Sequence, residues 1–420
     1  MHRFHYLEDR LHCEDVSVSA IAEAVGTPFY LYSHATLEHH FRTFNEAYGG
    51  PHLTCFSVKS LSNIAVLRLF GRLGGGADVV SGGELYRALQ AGIPPQRICY
   101  SGVGKTRQEI DAALEADILM FNVESSPEMD AISARAQALG RVARVALRIN
   151  PDVDPKTHPY ISTGLKKNKF GIAIEVARAE YARAAGMPGL EVCGVDCHIG
   201  SQLTRLSPFV DSLRRLKGLL AQLKAAGIAI RYLDLGGGLG ITYDAEKPPH
   251  PDEYGQAMER ELKDCDVTVI FEPGRVIVGN AGILVTRVVY VKEAAKRFII
   301  VDAGMNDLVR PALYGSYHAL WPVVRVPEVF SEAEADVVGP ICESTDFLAQ
   351  GRKLPLLRSG DLLAAMSAGA YGFTMASNYN SRPRVPEILV KEDKYFVIRE
   401  RESYAGLVAG ERIPDFLLRD

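Results

Sequence analysis

From residue 52 onward, short apolar runs rich in β-branched and aromatic residues alternate with stretches whose apolar positions recur at helical spacing. Eight such runs stand out, at 53–58, 76–80, 97–100, 118–121, 143–149, 193–198, 232–235 and 267–271, with helical stretches such as 64–70 and 213–220 between them. Strand alternating with helix predicts parallel strands joined by helical crossovers, and eight units is the number that closes a (β/α)8 barrel of TIM type. An open, doubly wound sheet is the rival, since strand counts read from pattern can be off by one or two.

Ahead of this rhythm, residues 1–26 read as a short strand region and a helix, with Ser17 and Ser19 as caps and Gly26 and Pro28 as the stop. Residues 29–32 read as a strand, and Ser33 as the cap of the next helix. Past Gly279 the pattern changes: 283–291, 297–301, 361–366 and the pair 387–391 and 394–399 read as strands with no long helix between them, the last pair as a hairpin through Glu392-Asp393. The expectation is a barrel over residues 28–279 that binds a cofactor. Residues 1–27 and 280–420 then form a β-rich, antiparallel domain for substrate and dimer contacts.

Composition narrows this only a little. A chain of 420 residues exceeds what one compact core usually holds, which suits a large domain with a smaller one. Its net charge of −4 gives no reason to expect nucleic acid or a membrane surface as partner. Seven cysteines, an odd number scattered along the chain, and the absence of an apolar leader point to a reduced, cytoplasmic protein. No apolar run is long enough to span a bilayer.

Catalytic groups of a (β/α)8 barrel lie at the carboxyl ends of its strands, and here those ends carry Lys59, then Asp78, Ser81 and Glu84, then Arg148, His198-Ile199-Gly200-Ser201, Gly236-Gly237-Gly238 and Glu272-Pro273-Gly274-Arg275. Each has a plain structural reading. Glu272 suits a strand-end acid paired with a nearby arginine, Lys59 a solvated loop cation. The sharper readings are a Schiff-base lysine of lowered pKa, glycine turns whose N–H groups approach an anion, and an arginine that adds charge to that anion or to a substrate carboxylate.

Three other motifs fail on spacing. Gly102-Val103-Gly104-Lys105-Thr106 lacks the first glycine of a nucleotide-triphosphate loop, since Cys99 stands there. Ile241 takes the last small position of a dinucleotide fingerprint. Cys193 and Cys197 on one strand would be on the order of 13 Å apart, too far to share a zinc ion with His198, so no metal site is expected. A lysine amine, an anion cradle, a flat imidazole and a carboxylate together suit pyridoxal 5'-phosphate, with the carboxylate keeping the pyridine nitrogen protonated so that the ring works as an electron sink.

These residues resemble the fold type III pyridoxal-phosphate decarboxylases, and among them the diaminopimelate decarboxylases. The matching stretches are 56–59, 78–85, 198–202, 236–240, 272–275, 301–314, 339–344 and 369–372, in the family's order over nearly the whole chain. The resemblance implies an alanine racemase-like barrel with a C-terminal β domain. It implies that Lys59 carries the cofactor, Glu272 pairs with the pyridine nitrogen and His198 stacks on the ring. Ser201, Gly237, Gly238, Pro273, Gly274, Arg275 and Tyr371 would hold cofactor and phosphate, with Asp78, Glu84 and Arg148 behind them. Cys342 would protonate the carbanion from the partner subunit of a homodimer. Arg275, Arg310, Tyr314 and Tyr371 would meet the substrate and its distal carboxylate, and Glu343 its distal ammonium.

The implied reaction is decarboxylation of meso-2,6-diaminopimelate to L-lysine. An ornithine decarboxylase of the same fold would have no distal carboxylate for Arg310 to hold, and the charges of Arg310 and Glu343 discriminate against one acting on arginine or carboxynorspermidine; the plain reading of Arg310 is an ion pair with Asp307 or another acid. A racemase is disfavoured by Glu272, and a silent cofactor-binding regulator by the presence of Lys59, Glu272 and Cys342 together. Ser60-Leu61-Ser62-Asn63 and residues 101–106 depart from the family's commonest sequences. Residues 151–171, long for a barrel loop, are expected to form a lid.

Overall fold

The computed structural model describes residues 2–153, 169–325 and 333–418. Most of the expected lid, at 154–168, lies outside the described residues. The chain divides into two compact units, Leu37–Gly279 and the pair Met1–Thr36 with Asn280–Asp420.

The first unit is the (β/α)8 barrel. Its strands are β1 (His52–Ser57), β2 (Gly76–Val79), β3 (Ile98–Tyr100), β4 (Met120–Val123), β5 (Ala143–Asn150), β6 (Leu190–Asp196), β7 (Tyr232–Asp234) and β8 (Thr268–Phe271). All pair in parallel in chain order, and β8 pairs with β1 to close the ring. Closure settles the choice against an open sheet. Helices enter with local caps: the Asn63 side chain accepts from the Ala65 N–H, and Thr106 with Glu109 forms a capping box. Part of the interior is filled by thiols and small apolar groups, among them Cys55, Cys99, Met120, Ala146, Cys193 and Ile270. Cys193 and Cys197 are both buried free thiols, in keeping with packing.

The second unit is built on a sheet in the order Phe347–Leu354, Ala333–Val338, Arg297–Val301, Gly282–Glu293, Phe29–Ser33, Glu387–Lys391, Lys394–Arg399. Most neighbours are antiparallel, as expected, but two pairs are parallel: Arg297–Val301 with Ala333–Val338, and Glu387–Lys391 with Phe29–Ser33. The sheet is therefore mixed. Phe29–Ser33 corrects the expected boundary as well. It lies in the middle of this sheet, between Gly282–Glu293 and Glu387–Lys391, so the β-rich unit runs to residue 36 and not to 27. Phe29 and Leu31 pack there with Ile283, Val285, Ile388 and Val390 in an apolar core. Glu387, buried in the same sheet, accepts from the Tyr32 hydroxyl at 2.9 Å and from Arg399 Nε at 2.6 Å.

Candidate active site

The barrel brings its strand-end residues together as expected. Lys59 sits in a single turn after β1, and its Nζ lies 3.0 Å from Asp78 Oδ2 at the end of β2. The same oxygen accepts from Ser57 Oγ at 2.9 Å. Burial pushes Asp78 up, but the Lys59 ammonium and these hydrogen bonds outweigh it and hold the carboxyl below its usual range. Glu84 accepts from the Val80 N–H at 2.9 Å, and its burial lifts it to about 7.

His198 follows β6. The Gly237 N–H donates to His198 Nδ1 at 3.2 Å, which leaves Nδ1 unprotonated and the ring neutral. Burial, Arg148 and Lys59 all act the same way, holding the imidazole well below its usual pKa. A neutral, fixed ring suits stacking on a flat ligand. Arg148, on β5, donates to Glu124 Oε1 at 2.7 Å and lies 4.8 Å from the Phe170 ring centroid.

The turns after β6, β7 and β8 form a cradle. A Cβ on Gly237 would meet the Glu272 carbonyl oxygen at 2.2 Å. Gly238, at φ +113°, would meet the Gly200 carbonyl oxygen at 2.4 Å. No side chain fits at either place, and backbone N–H groups are left able to approach an anion. Pro273 offers its carbonyl to the Ser57 N–H at 3.0 Å, and Gly274 leads into the short helix Arg275–Val278. Arg275, buried, donates from Nη2 to Ser201 Oγ at 3.1 Å and from Nη1 to the Tyr243 hydroxyl at 2.6 Å. A glycine cradle, a hydroxyl and a guanidinium converge on one place, beside a lysine amine and a carboxyl. This donor set fits a phosphorylated aldehyde with a basic ring nitrogen.

Behind the cradle lies a polar cluster that strand-end reading missed. Asn122 is buried within β4, Asp196 and Asp234 are buried as the last residues of β6 and β7, and Glu272 follows β8 directly. The signal was there to find: a polar residue between apolar neighbours on a parallel strand, as in Phe121-Asn122-Val123 and Leu233-Asp234-Leu235. Glu124 and Tyr243, the partners of Arg148 and Arg275, were missed too. In the 101–106 departure, Lys105 turns inward to Gly102 O and Asn122 O, both at 2.8 Å, and to Glu128, while the Ser101 hydroxyl faces Glu272 at 3.4 Å.

The remaining candidates belong to the β-rich unit. Arg310 opens the helix Arg310–Tyr314, one turn before Tyr314; it is buried and donates from Nη1 to His318 Nε2 at 3.0 Å, while His318 Nδ1 bonds the Met366 carbonyl at 2.8 Å. Asp307, the partner expected on the plain reading, accepts from the Gly304 N–H at 3.0 Å and from Asn306 at 3.1 Å. Cys342 and Glu343 are exposed in the loop after Ala333–Val338, held by Asn380, which accepts from the Cys342 N–H at 2.9 Å, and by the Tyr379 hydroxyl on Glu343. Tyr371 is half-buried at φ 56°.

The chain matches the model of the family described as "Pyridoxal-dependent decarboxylase, pyridoxal binding domain" over residues 34–279. It is 53% identical over 415 residues to the diaminopimelate decarboxylase of Pseudomonas aeruginosa, covering 98% of this chain and 99% of the relative. To that of Haemophilus influenzae it is 50% identical over 414 residues, covering 98% and 99%. The structure of the Helicobacter pylori diaminopimelate decarboxylase complexed with L-lysine is similar at a TM-score of 0.90 and 44% identity, covering 93% of this chain and 98% of that one. The M. jannaschii enzyme, in co-complex with L-lysine, is similar at a TM-score of 0.93 and 39% identity, covering 99% and 98%. With the lysine, the glycine cradle and the buried acid all standing at the ends of barrel strands, the chain belongs to the pyridoxal-dependent decarboxylases, and among them to the diaminopimelate decarboxylases.

Proposed function

We propose that the residues described above divide the work of converting meso-2,6-diaminopimelate, through loss of one carboxylate as CO2, to L-lysine. The activity is that of a pyridoxal-phosphate-dependent carboxy-lyase of lysine biosynthesis. When bound, the cofactor supplies the electron sink that makes loss of CO2 possible. Lys59 would hold its aldehyde through Nζ, and Asp78 orients that amine. The N–H groups of Gly238 and Gly274, with Ser201, Arg275 and Tyr371, would hold the phosphate, and Gly237, whose N–H is given to His198 Nδ1, would leave the backbone room to approach it. His198 would offer its neutral ring for stacking, with Arg148 behind it, and Glu272, followed by Pro273, would pair with the ring nitrogen.

Arg310, with Arg275, Tyr314 and Tyr371, holds the distal carboxylate, and Glu343 the distal ammonium. Cys342 Sγ donates the proton that replaces CO2, reaching the site from the partner subunit of a homodimer. An exposed thiol is suited to serve a site outside its own unit. Seven free cysteines favour a reducing, cytoplasmic setting; among the described residues, no helix is long and apolar enough to cross a membrane.

The observation that carries this reading is Lys59 held 3.0 Å from Asp78 at the rim of a glycine-lined barrel mouth. Its test is CO2 release with pyridoxal phosphate from meso-diaminopimelate, ornithine, arginine and lysine, with the amine product identified. Release from diaminopimelate alone, giving lysine, is expected. Release from ornithine or arginine instead would overturn the roles of Arg310 and Glu343.

A further inference from the structure

Asp196, Asp234 and Glu272 are exposed by only 2%, 0% and 5%, and each offers a carboxylate oxygen within 4.8 Å of those of the others. Three buried carboxylates so close cannot all be ionised. Positive charge is near but committed: Lys59 lies on Asp78, and Arg148 lies 2.7 Å from Glu124 and 4.0 Å from Asp196. The cluster must therefore hold protons, and the hydrogen bonds say where.

Asp234 has donors on both oxygens, the Gly236 N–H on Oδ1 at 2.9 Å and Asn122 Nδ2 on Oδ2 at 3.1 Å. It is the acid best able to carry charge. Asp196 Oδ1 is buried with no hydrogen-bond partner among the described residues, which favours a neutral carboxyl there. Glu272 accepts on Oε1 from Asn122 at 3.3 Å and from Ser101 at 3.4 Å, and its carboxyl also lies in hydrogen-bond contact with that of Asp234. Two carboxyls in such contact hold one proton between them, and Glu272, with the poorer set of donors, is the one to carry it. The charged and titratable groups that act on Glu272 and Asp234 include Asp78, Asp196, Lys59, Arg148, the thiols of Cys55, Cys99 and Cys197, and the Tyr254 hydroxyl. Burial and the charge of Asp234 push Glu272 well above the usual carboxyl range, whereas Asp234 is raised only to about 6.

We propose that Asp234, pinned by the Gly236 N–H and joined to Glu272 directly and through Asn122, is a positioning residue that keeps one proton on the Glu272 carboxyl until the cofactor's ring nitrogen arrives to take it. The proton leaves the Glu272 carboxyl and bonds the nitrogen, the carboxyl becomes a carboxylate and the ring a pyridinium, so net charge is conserved and no proton is drawn from solvent. Asp234 stays ionised and its charge favours the pyridinium. This deepens the assignment of Glu272 given above and rests on it.

The test is the proton stoichiometry of cofactor binding to the cofactor-free protein near pH 8, from calorimetry in two buffers of different ionisation enthalpy. Asp234→Asn removes the charge that keeps Glu272 protonated, so this variant takes up about one more proton per site than wild type. The double variant Asp234→Asn/Glu272→Gln, which has no carboxylate to pair with a pyridinium, separates the two readings and is expected to lose the extra proton. If it keeps that proton, the Glu272 assignment falls and this inference with it. If Asp234→Asn takes up no extra proton while the carboxyl band missing from Glu272→Gln is still lost on cofactor binding, only the inference falls. Should Asp234→Asn fail to fold, wild type and Glu272→Gln decide: the infrared band of a protonated carboxyl that is missing from Glu272→Gln disappears from wild type when pyridoxal phosphate is added, and its persistence overturns the proposal.

Discussion

In the barrel the chemistry lies inward: Asp78, Asn122, Asp196, Asp234 and Glu272 are buried, with Asp78 bonded to Lys59, Asn122 to Asp234 and Glu272, and Asp234 to the Gly236 N–H. In the β-rich unit an apolar core forms around Ile283, Val285, Ile388 and Val390, and Cys342 and Glu343, the proposed proton donor and ammonium partner, are exposed. Buried polar groups in a low dielectric are fixed in place before any ligand comes, which suits holding a charged cofactor. Exposed groups on a loop can be covered by a second body, which suits a donor needed at one step only. The division suggests a barrel that sets the reaction and a β-rich unit that completes it.

The largest break should come from Lys59→Ala. Loss of the amine proposed to bind the cofactor is expected to lower CO2 release roughly 10³-fold or more, and to abolish the absorbance of a covalently held cofactor. Cys342→Ala comes next, with kcat down by about 10²–10⁴-fold if the thiol is the proton donor. Mixing these two inactive variants tests the shared site directly. Dimers that pair one of each regain one complete site, so about a quarter of wild-type activity returns if subunits assort at random. No recovery on mixing would place Cys342 in the site of its own chain.

Arg310→Met sharpens the division by substrate. Losing charged hydrogen bonds to the distal carboxylate costs about 1.5–3 kcal/mol, or about 10–100-fold in kcat/KM for diaminopimelate. An unchanged kcat/KM would remove Arg310 from the site.

The smallest effect concerns stability. Glu84 is raised from its usual 4.5 to about 7, so between these pH values the folded protein holds a proton that the unfolded chain has lost. That contribution to stability is full below about 4.5 and is lost as pH rises through 7. Glu84→Gln keeps the acceptor for the Val80 N–H and removes the titration, so urea midpoints across this window should fall less steeply than in wild type, by at most about 1.4 kcal/mol per pH unit.

The barrel was legible because each strand carries its own signal, a short apolar run between helical stretches, and because catalytic groups collect at strand ends. Lys59, Asp78, His198, Ser201, Gly237, Gly238, Glu272 and Arg275 can be gathered that way from the sequence. Asn122, Asp196 and Asp234 were not, because an acid inside an apolar run looks like an interruption until closure of the ring turns eight strands toward one axis. Phe29–Ser33 was correctly read as a strand and given to the wrong unit. Its nearest partners, at 282–285 and 387–390, are some 250 and 350 residues away, and nothing local records such pairing.

The same strand has a consequence for synthesis. Phe29–Ser33 leaves the ribosome early, yet it holds the centre of a sheet whose flanking strand Glu387–Lys391 is about 350 residues further on. At 5–20 residues per second, that interval is on the order of 20–70 s. Leu37–Gly279 can close its ring during this wait, because all its strands are already made. The apolar strand meanwhile stays unpaired, a target for chaperones or for another nascent chain, and protection from either is something this fold must borrow from the cell.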